Sequence, residues 1–183
     1  MTNSQNEQMI LEQLKDPSLR NIAFSVVVER YSKKIYWHIR NMVLSHDDAN
    51  DLVQETFIKA WNSIDSFRGE SHISTWLYRI AINETLAFLK KRRIEIVSID
   101  SEEYDIESIV GNDIYFCGDN SDIIFRKAIN SLPEKQRIVF NMKYFEEMKY
   151  EEMSEILATS VGALKASYHF AVKKIEAYIK END

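Results

Sequence analysis

The stretch that decides the fold reads DDANDLVQETFIKAW (47–61), NSIDSFRGESHIS (62–74) and TWLYRIAINETLAFLKKRR (75–93). Its first and third parts carry apolar residues at intervals of three and four, which predicts two amphipathic helices. The middle part is polar and holds one glycine, which predicts the loop that joins them. The rest of the chain can be interpreted outward from this helical pair.

Capping signals frame the two helices. Ser45 can accept a hydrogen bond from the first amides of a helix, and Asp47 and Asp48 fall in the first turn, where the helix dipole favours negative charge. We expect Ser71 or Ser74 to cap the second helix in the same way. The apolar face of the first helix, which we expect to be buried, consists of Ala49, Leu52, Val53, Phe57, Ala60 and Trp61.

The other faces of these helices are unusual. The first carries a line of acid, amide, acid and isoleucine, which fits either a solvated surface or a surface for a protein partner. The second helix carries aromatic residues and an amide, and it ends in four consecutive bases at 90–93. Bases near a helix C-terminus complement the dipole, but four in a row exceed that need. This face resembles a stacking and phosphate-binding surface for single-stranded nucleic acid.

Composition favours an all-α protein. The 183 residues include four glycines and two prolines, too few for the many turns of a β-sandwich or barrel. Cys117 is the one cysteine, which excludes a disulfide framework and a multi-thiolate metal site. The N-terminus lacks the basic and apolar blocks of a signal peptide, and no apolar run approaches the roughly 20 residues of a membrane span. We therefore expect a cytoplasmic protein.

Charge divides the chain into three parts. Residues 94–123 hold nine acids and no Lys or Arg, so the rest of the chain carries a formal charge of +3 although the whole carries −6. Residues 94–121 also lack periodicity and concentrate turn-forming residues, which predicts a flexible acidic linker. The predicted organisation is a helical domain at 1–95, the linker at 96–121 and a second helical domain at 122–183.

The second domain has the pattern of a helix-turn-helix. The run SLPE at 131–134 predicts a helix start with Ser131 as N-cap and Pro133 in the first helical position. A short helix follows at 150–157, and after a tight turn Ser160 caps a longer helix from Val161 to about Ile179. Lysines dominate the charge of this last helix, which suits a helix that enters the major groove of DNA.

The combination is much more specific than its parts. The segments DANDLVQETFIKAW, FRGESHISTWLYRIAIN, LPEKQRIVF and EEMSEILATSVGALKASYHFAVKKI occur in this order around an acidic linker. In this respect the chain resembles the extracytoplasmic-function (ECF) sigma factors of bacterial RNA polymerase. The resemblance covers nearly the whole chain. It implies a transcription initiation factor that binds core RNA polymerase, directs it to specific promoters and helps to melt them.

The resemblance also implies roles for individual residues. The residues expected to bind core polymerase are Asp51, Gln54, Glu55 and Ile58. Those expected to bind the −10 element, where a base is flipped out of the melted duplex, are Phe67, Arg68, Trp76, Arg79, Asn83, Lys90, Arg92 and Arg93. Those expected to bind the −35 element are Ser160, Ala163, Lys165, Ala166, His169, Phe170 and Lys173.

The resemblance further implies three partners and no membrane insertion. The partners are core polymerase, promoter DNA (as duplex and as single-stranded non-template strand) and an anti-sigma factor. The acidic linker is expected to occupy a basic channel of the polymerase that leads to the RNA exit path. One departure concerns the last helix, which has Ser167, Phe170 and Val172 where arginines are common in the family.

Two other functions fit parts of the sequence. A helix-turn-helix regulator that binds duplex DNA without core polymerase would explain residues 122–183, but it leaves the 47–93 stretch unexplained. An enzyme has no supporting motif, because the four histidines lack ligand spacing and the glycines form no phosphate loop. We therefore expect no catalytic residues, no metal site and no cofactor.

Overall fold

The computed structural model describes residues 3–43, 45–98 and 120–182, and this part of the chain folds into α-helices joined by turns. The helices are α1 (Asn3–Lys15), α2 (Arg20–Val43), α3 (His46–Asn62), α4 (Ile73–Ser98), α5 (Asn120–Asn130), α6 (Glu134–Tyr144), α7 (Tyr150–Leu157) and α8 (Val161–Asn182). A single turn of 3-10 helix, Ile64–Ser66, lies between α3 and α4. The all-α expectation is confirmed.

The first helical unit is built around α2, which packs against α1, α3 and α4. Val27, Ile35 and Ile39 of α2 have no exposed surface, and Leu77 of α4 belongs to the same apolar cluster. Burying an aliphatic side chain of this size stabilises a fold by about 1.5–3 kcal/mol. This core holds α3 and α4 side by side and leaves the outer face of α3 exposed to solvent.

The second helical unit is built around α8, which packs against α5, α6 and α7. Ala128, Phe140, Ala171 and Ile175 form a small buried cluster inside it. The ring of Phe140 stacks on that of Tyr168, with 5.8 Å between the centroids. The short α7, the turn after it and the capped α8 form the predicted helix-turn-helix.

The two units share one apolar core, and the second unit also has a small core of its own. α6 packs on α2, and α7 packs on α4. Met142, Met153 and Ile156 from the second unit belong to the apolar cluster that contains Val27 and Leu77 of the first. The second unit is therefore docked on the first.

Some helix ends differ from those predicted. α4 continues past Arg93 to Ser98, and α5 begins at Asn120, so both edges of the predicted linker are helical. Residues 99–119, and with them most of the linker and its expected role in a polymerase channel, lie outside the described residues.

Two of the predicted caps were wrong. Pro133, not Ser131, occupies the N-cap position of α6, and the Ser131 hydroxyl donates to the carbonyl of Ala128 instead. α4 begins at Ile73 without Ser71 or Ser74 as its cap, because a carboxylate from α1 accepts the hydrogen bond of its first amide. The partner of the α4 amide lies far away in the sequence, whereas Ser131 bonds to a carbonyl only three residues before it.

The expected burial of Trp61 is also incorrect. Its side chain is 36% exposed and lies edge-on to the ring of Phe24, with 5.0 Å between the centroids. The other members of the predicted α3 face are buried or half-buried. Trp61 therefore covers the edge of the core.

Candidate partner and nucleic-acid interfaces

The outer face of α3 carries the predicted polymerase contacts. Ser45 caps the helix as expected and accepts a hydrogen bond of 3.3 Å from the amide of Asp48. All four predicted contact residues are exposed, and 58% of the surface of Ile58 is open to solvent. Because Leu52 and Ala60 hold the opposite face in the core, the four side chains form one continuous outward line.

The loop between α3 and α4 presents an aromatic pair. Phe67 stacks on Trp76, the fourth residue of α4, with 4.5 Å between the ring centroids and 15° between the ring planes. Gly69 adopts a φ of +77°, a left-handed conformation that residues other than glycine rarely adopt. The neighbouring Arg68 is 81% exposed. The predicted aromatic and basic residues of this loop thus lie together at the start of α4.

The first turn of α4 is fixed by a residue that the sequence reasoning missed. One carboxylate oxygen of Glu7, in α1, accepts a hydrogen bond of 2.7 Å from the amide of Ile73. The other lies 2.9 Å from Nδ1 of His72. This hydrogen bond, together with the charge of Glu7, raises the pKa of His72 above its ordinary value of 6.5. Glu7 lies far away in the sequence, so no local spacing predicts the contact.

The remaining predicted −10 residues differ in their surroundings. Asn83 and Lys90 are exposed on α4. Arg92 is half-buried and forms an ion pair with Asp48 of α3, which ties the basic end of α4 to the start of the neighbouring helix. The backbone of Arg93 is helical, and its side chain lies outside the described residues.

The predicted −35 face on α8 is exposed. Ser160 caps this helix, and its hydroxyl accepts a hydrogen bond of 3.3 Å from the amide of Ala163. Phe170 is 54% exposed. The other predicted residues on this face are also open to solvent, namely Ala163, Lys165, Ala166, His169 and Lys173. The helix-turn-helix therefore presents a surface of lysines, a histidine and one large aromatic ring.

The described residues contain no group of three or more His, Cys, Asp or Glu side chains that could hold a metal ion. Within residues 3–43, 45–98 and 120–182, no helix is long and apolar enough to cross a membrane.

Comparison with known proteins identifies the family. Residues 27–94 match the family model for Sigma-70 region 2, and residues 122–175 match that for Sigma-70 region 4. The ECF RNA polymerase sigma-E factor of Haemophilus influenzae is 31% identical over 190 residues, which cover 98% of both chains. The chain belongs to the ECF sigma factors. The sigma-E factor of Escherichia coli K12 is 30% identical over 185 residues, covering 96% of this chain and 95% of its relative.

Two solved structures share the fold. The sigma factor RpoE in complex with the anti-sigma factor NepR from Bartonella quintana has a TM-score of 0.65 and 24% identity, over 86% of this chain and 96% of its own. CnrH in complex with the cytosolic domain of CnrY has a TM-score of 0.70 and 20% identity, over 97% of this chain and 99% of its own.

The function follows from the family. The protein is a transcription initiation factor without catalysis of its own, which binds core RNA polymerase and promoter DNA. A helix-turn-helix regulator that acts without polymerase is not favoured, because such a protein has no counterpart of the region 2 match.

In this sigma factor, region 4 is held against region 2 by specific polar contacts. The Glu146 carboxylate, in the turn between α6 and α7, accepts a hydrogen bond of 2.5 Å from the Tyr78 hydroxyl and lies 2.6 Å from Nδ1 of His38. Because a carboxylate only accepts hydrogen bonds, Nδ1 of His38 carries the proton. Burial, together with the charge of Glu146, raises the pKa of Tyr78, so this phenol remains a donor.

Two further side chains make polar contacts across the same interface. The fully buried amide of Asn141 donates to the carbonyl of Asn41, at 3.2 Å, and contacts the sulfur of Met42 at 3.1 Å. The guanidinium of Arg79 donates to the carbonyls of Glu155, at 2.6 Å, and Ile156, at 3.3 Å. Arg79, a predicted −10 residue, is therefore engaged with region 4 in this structure.

Proposed function

We propose that Asp51, Gln54, Glu55 and Ile58 form the principal contact of this sigma factor with core polymerase. The proposal is supported by their position as one exposed line on α3, with the opposite face of the helix buried. The isoleucine at the end of this line, after the two carboxylates, combines an apolar anchor with charges that steer association with a basic partner.

The start of α4 would hold the −10 element. The Phe67–Trp76 pair offers aromatic faces on which an unstacked base can stack, a contact worth about 1–3 kcal/mol per base. Arg68 and Lys90 would bind phosphates, and Asn83 would hydrogen-bond the edge of a base. Arg79, Arg92 and Arg93 complete the set of residues proposed for this element.

The exposed face of α8 would contact the −35 element as duplex DNA. Its support is the capped helix-turn-helix geometry, in which the N-terminal part of the second helix reaches base edges. Ser160, Ala163, Lys165, Ala166, His169, Phe170 and Lys173 are the proposed contacts.

The experiment that tests these assignments measures binding to core polymerase and melting of the promoter separately. In one variant, Asn83→Ala is combined with Trp76→Ala, and in the other Asp51→Asn is combined with Glu55→Gln. The first variant should bind core polymerase normally and fail to form open complexes at any concentration. The second should bind core polymerase weakly, and an excess of it should restore open complexes.

Asn62→Ala serves as the matched control for both, because Asn62 is an exposed amide on α3 outside both proposed sites. The assignment would be wrong if excess protein rescued the Asn83/Trp76 variant, or if the Asp51/Glu55 variant bound core polymerase with unchanged affinity.

Two further parts of the proposal follow from this function. The sigma factor would act in the cytoplasm, where core polymerase and the chromosome are found. It would also be controlled by an anti-sigma factor, which is supported by the likeness of its fold to RpoE and CnrH, each solved in a complex with another protein. Pull-down of the full chain from its own cells, with and without core polymerase depletion, would test for such a partner.

The domain division remains part of the proposal. Region 2 would occupy residues 1–95, the acidic linker 96–121 and region 4 residues 122–183. Limited proteolysis of the free protein and of the holoenzyme tests it, because cleavage should concentrate between Ser98 and Asn120.

A further inference from the structure

The side chain of His72 lies beside the proposed −10 site and has no assigned role there. His72 is the residue before α4, and its carbonyl accepts a hydrogen bond of 3.1 Å from the amide of Trp76. The two residues are therefore one helical turn apart, and the ring of Trp76 is the one that stacks on Phe67. Because a strand carries one phosphate per nucleotide, a strand that stacks a base on this aromatic pair has phosphates in the neighbourhood of His72.

His72 also borders a cavity that it shares with two of the proposed −10 residues. The cavity has a volume of about 640 Å³ and lies between α1, the loop before α4, α4 itself and α7. Arg68 and Arg79 line it together with His72. The side chains of Arg68 and His72 are 81% and 65% exposed. A phosphate group that approaches the cavity can therefore reach both a guanidinium and an imidazole from solvent.

Glu7 determines which nitrogen of His72 is protonated. A carboxylate oxygen of Glu7 lies 2.9 Å from Nδ1, and because a carboxylate only accepts hydrogen bonds, Nδ1 carries a proton in both charge states of the ring. Among the described residues, none forms a hydrogen bond with Nε2. In the neutral ring Nε2 is a lone pair that repels a phosphate oxygen, whereas in the imidazolium it is a charged donor that binds one. The charge state of His72 therefore decides whether Nε2 can contact DNA.

Charges of both signs surround His72. Those that line the cavity are Glu7, Glu12 and Lys15 of α1, Arg68 and Glu70 of the loop, Arg79 of α4 and Glu155 of α7. The hydrogen bond and the charge of Glu7 are the main causes that raise the pKa of His72 above 6.5, and Glu155 and Glu152 of α7 add to the rise. The contribution of Glu7 comes from within region 2 itself. His72 therefore changes charge at a pH above 6.5.

We propose that His72 is a phosphate contact of the −10 non-template strand and that it binds only while its imidazole is charged. Nε2 of the imidazolium donates to a phosphate oxygen of the strand whose base stacks on the Phe67–Trp76 pair. Glu7 orients the ring and keeps it charged. Binding of the strand therefore weakens as the pH rises and His72 becomes neutral. The inference rests on the proposed −10 site and adds to it one contact and a dependence on pH.

The test measures the affinity of the holoenzyme for the single strand as a function of pH. The probe is a rhodamine-labelled oligonucleotide that carries the −10 non-template sequence selected by in vitro transcription from a promoter library. Wild type and His72→Ala are compared from about pH 6 to about pH 9, because the titrating groups of core polymerase cancel in the ratio of the two dissociation constants.

The ratio should depend on pH in one direction. Since one exposed charge contact is lost, wild type should bind about two- to fivefold more tightly than His72→Ala at the low end of the range. The two proteins should bind equally well at the high end, where His72 of the wild type is neutral. Equal affinities at low pH, or a ratio that does not change with pH, would overturn the inference.

Glu7→Gln distinguishes a charged contact from a structural role of His72. Glutamine keeps an acceptor oxygen for the amide of Ile73 but lacks the charge that raises the pKa of His72. The pH at which the affinity falls should therefore move down toward 6.5. Glu12→Gln is the matched control, because Glu12 lines the same cavity from the same helix and is not among the groups that raise the pKa of His72. An equal midpoint in Glu7→Gln and Glu12→Gln would contradict the role of Glu7.

Two further measurements report the charge at residue 72. His72→Lys keeps a positive charge throughout the range, so its affinity should not show the loss that the wild type shows at high pH. The slope of log affinity against log salt should be about 0.7 steeper for wild type than for His72→Ala at low pH, since one phosphate contact is added. At high pH the two slopes should agree. Identical slopes at low pH would show that His72 does not contact a phosphate.

The variant that combines Asn83→Ala with Trp76→Ala separates failure of the inference from failure of the proposed function. If this variant loses the strand while wild type and His72→Ala bind it alike at every pH, the proposed −10 site is supported and the inference is wrong. If the variant binds the strand as wild type does, the proposed −10 site is wrong and the inference fails with it.

Discussion

Glu7 accepts a hydrogen bond of 2.7 Å from the amide of Ile73, so a carboxylate of the first helix caps a helix that begins 66 residues later in the chain. The first amides of a helix have no partner within it, and a negative charge placed there is also favoured by the helix dipole. The contact fixes α1 beside the loop that carries Phe67 and Arg68. The position of the loop proposed to bind the −10 element therefore depends on the N-terminal helix.

Replacing Glu7 with alanine should destabilise the protein. Loss of an N-terminal cap typically lowers the free energy of unfolding by about 0.5–2 kcal/mol. Chemical denaturation of Glu7→Ala should show a loss of unfolding free energy, relative to wild type, within this range. Glu12→Ala, at an exposed position of the same helix, should have little effect. An equal loss in both variants would contradict a capping role for Glu7.

The interaction of Glu7 with His72 should make stability depend on pH in a defined direction. The folded-state pKa of His72 is raised, so its contribution is fully present below the unfolded value of about 6.5 and is lost as the pH rises through the higher folded value. The His72 side chain is 65% exposed, so the effect will be small.

The pH dependence can be measured as a difference between two proteins. The difference in melting temperature between wild type and His72→Gln should be largest near pH 6. It should vanish as the pH rises and His72 of the wild type becomes neutral. Other titrating groups cancel in this comparison. A gap that stays constant or grows with pH would show that His72 acts without its charge.

The turn of the helix-turn-helix contains a strained backbone conformation that a glycine would relieve. Ala158 ends α7 with a φ of +50° and a ψ of +42°, in the left-handed region that glycine adopts without cost. Ala158→Gly should therefore raise the free energy of unfolding by roughly 0.5–1 kcal/mol. The same substitution at the exposed helical position Ala177 should lower it by about as much. Thermal melting of the two variants distinguishes them by the sign of the shift.

The sequence predicted those features that depend on neighbours in the chain. The caps at Ser45 and Ser160 were recognised because each hydroxyl and the amide that it accepts from lie only three residues apart. Glu7 and Glu146 were missed because their partners lie 65 residues or more away, and no periodicity records such a contact. The docking of region 4 was missed for the same reason. Outward residues of α3 and α8 were assigned correctly to exposed faces, since helical spacing alone separates the two sides.

Promoter recognition by α8 should lean toward A·T base pairs. Bidentate reading of guanine in the major groove is the usual task of arginine, and the exposed face of this helix has lysines, His169 and Phe170 instead. Promoters selected in vitro should lack an invariant guanine contacted by α8. Phe170, more than half exposed, is placed to contact the methyl group of a thymine.

Two substitutions separate sequence reading from phosphate binding on this helix. Lys173→Ala should weaken binding to all duplexes alike and reduce the salt dependence of binding by about one phosphate contact. Phe170→Ala should weaken binding only to sites with the contacted thymine. Replacing that thymine by uracil, which removes the methyl group, should cost the wild type as much as Phe170→Ala does. Combining the two changes should add little, because both remove the same contact. If the losses of affinity from the two changes were fully additive, Phe170 would not contact the thymine methyl group. Recognition of the −35 element would then depend on DNA shape.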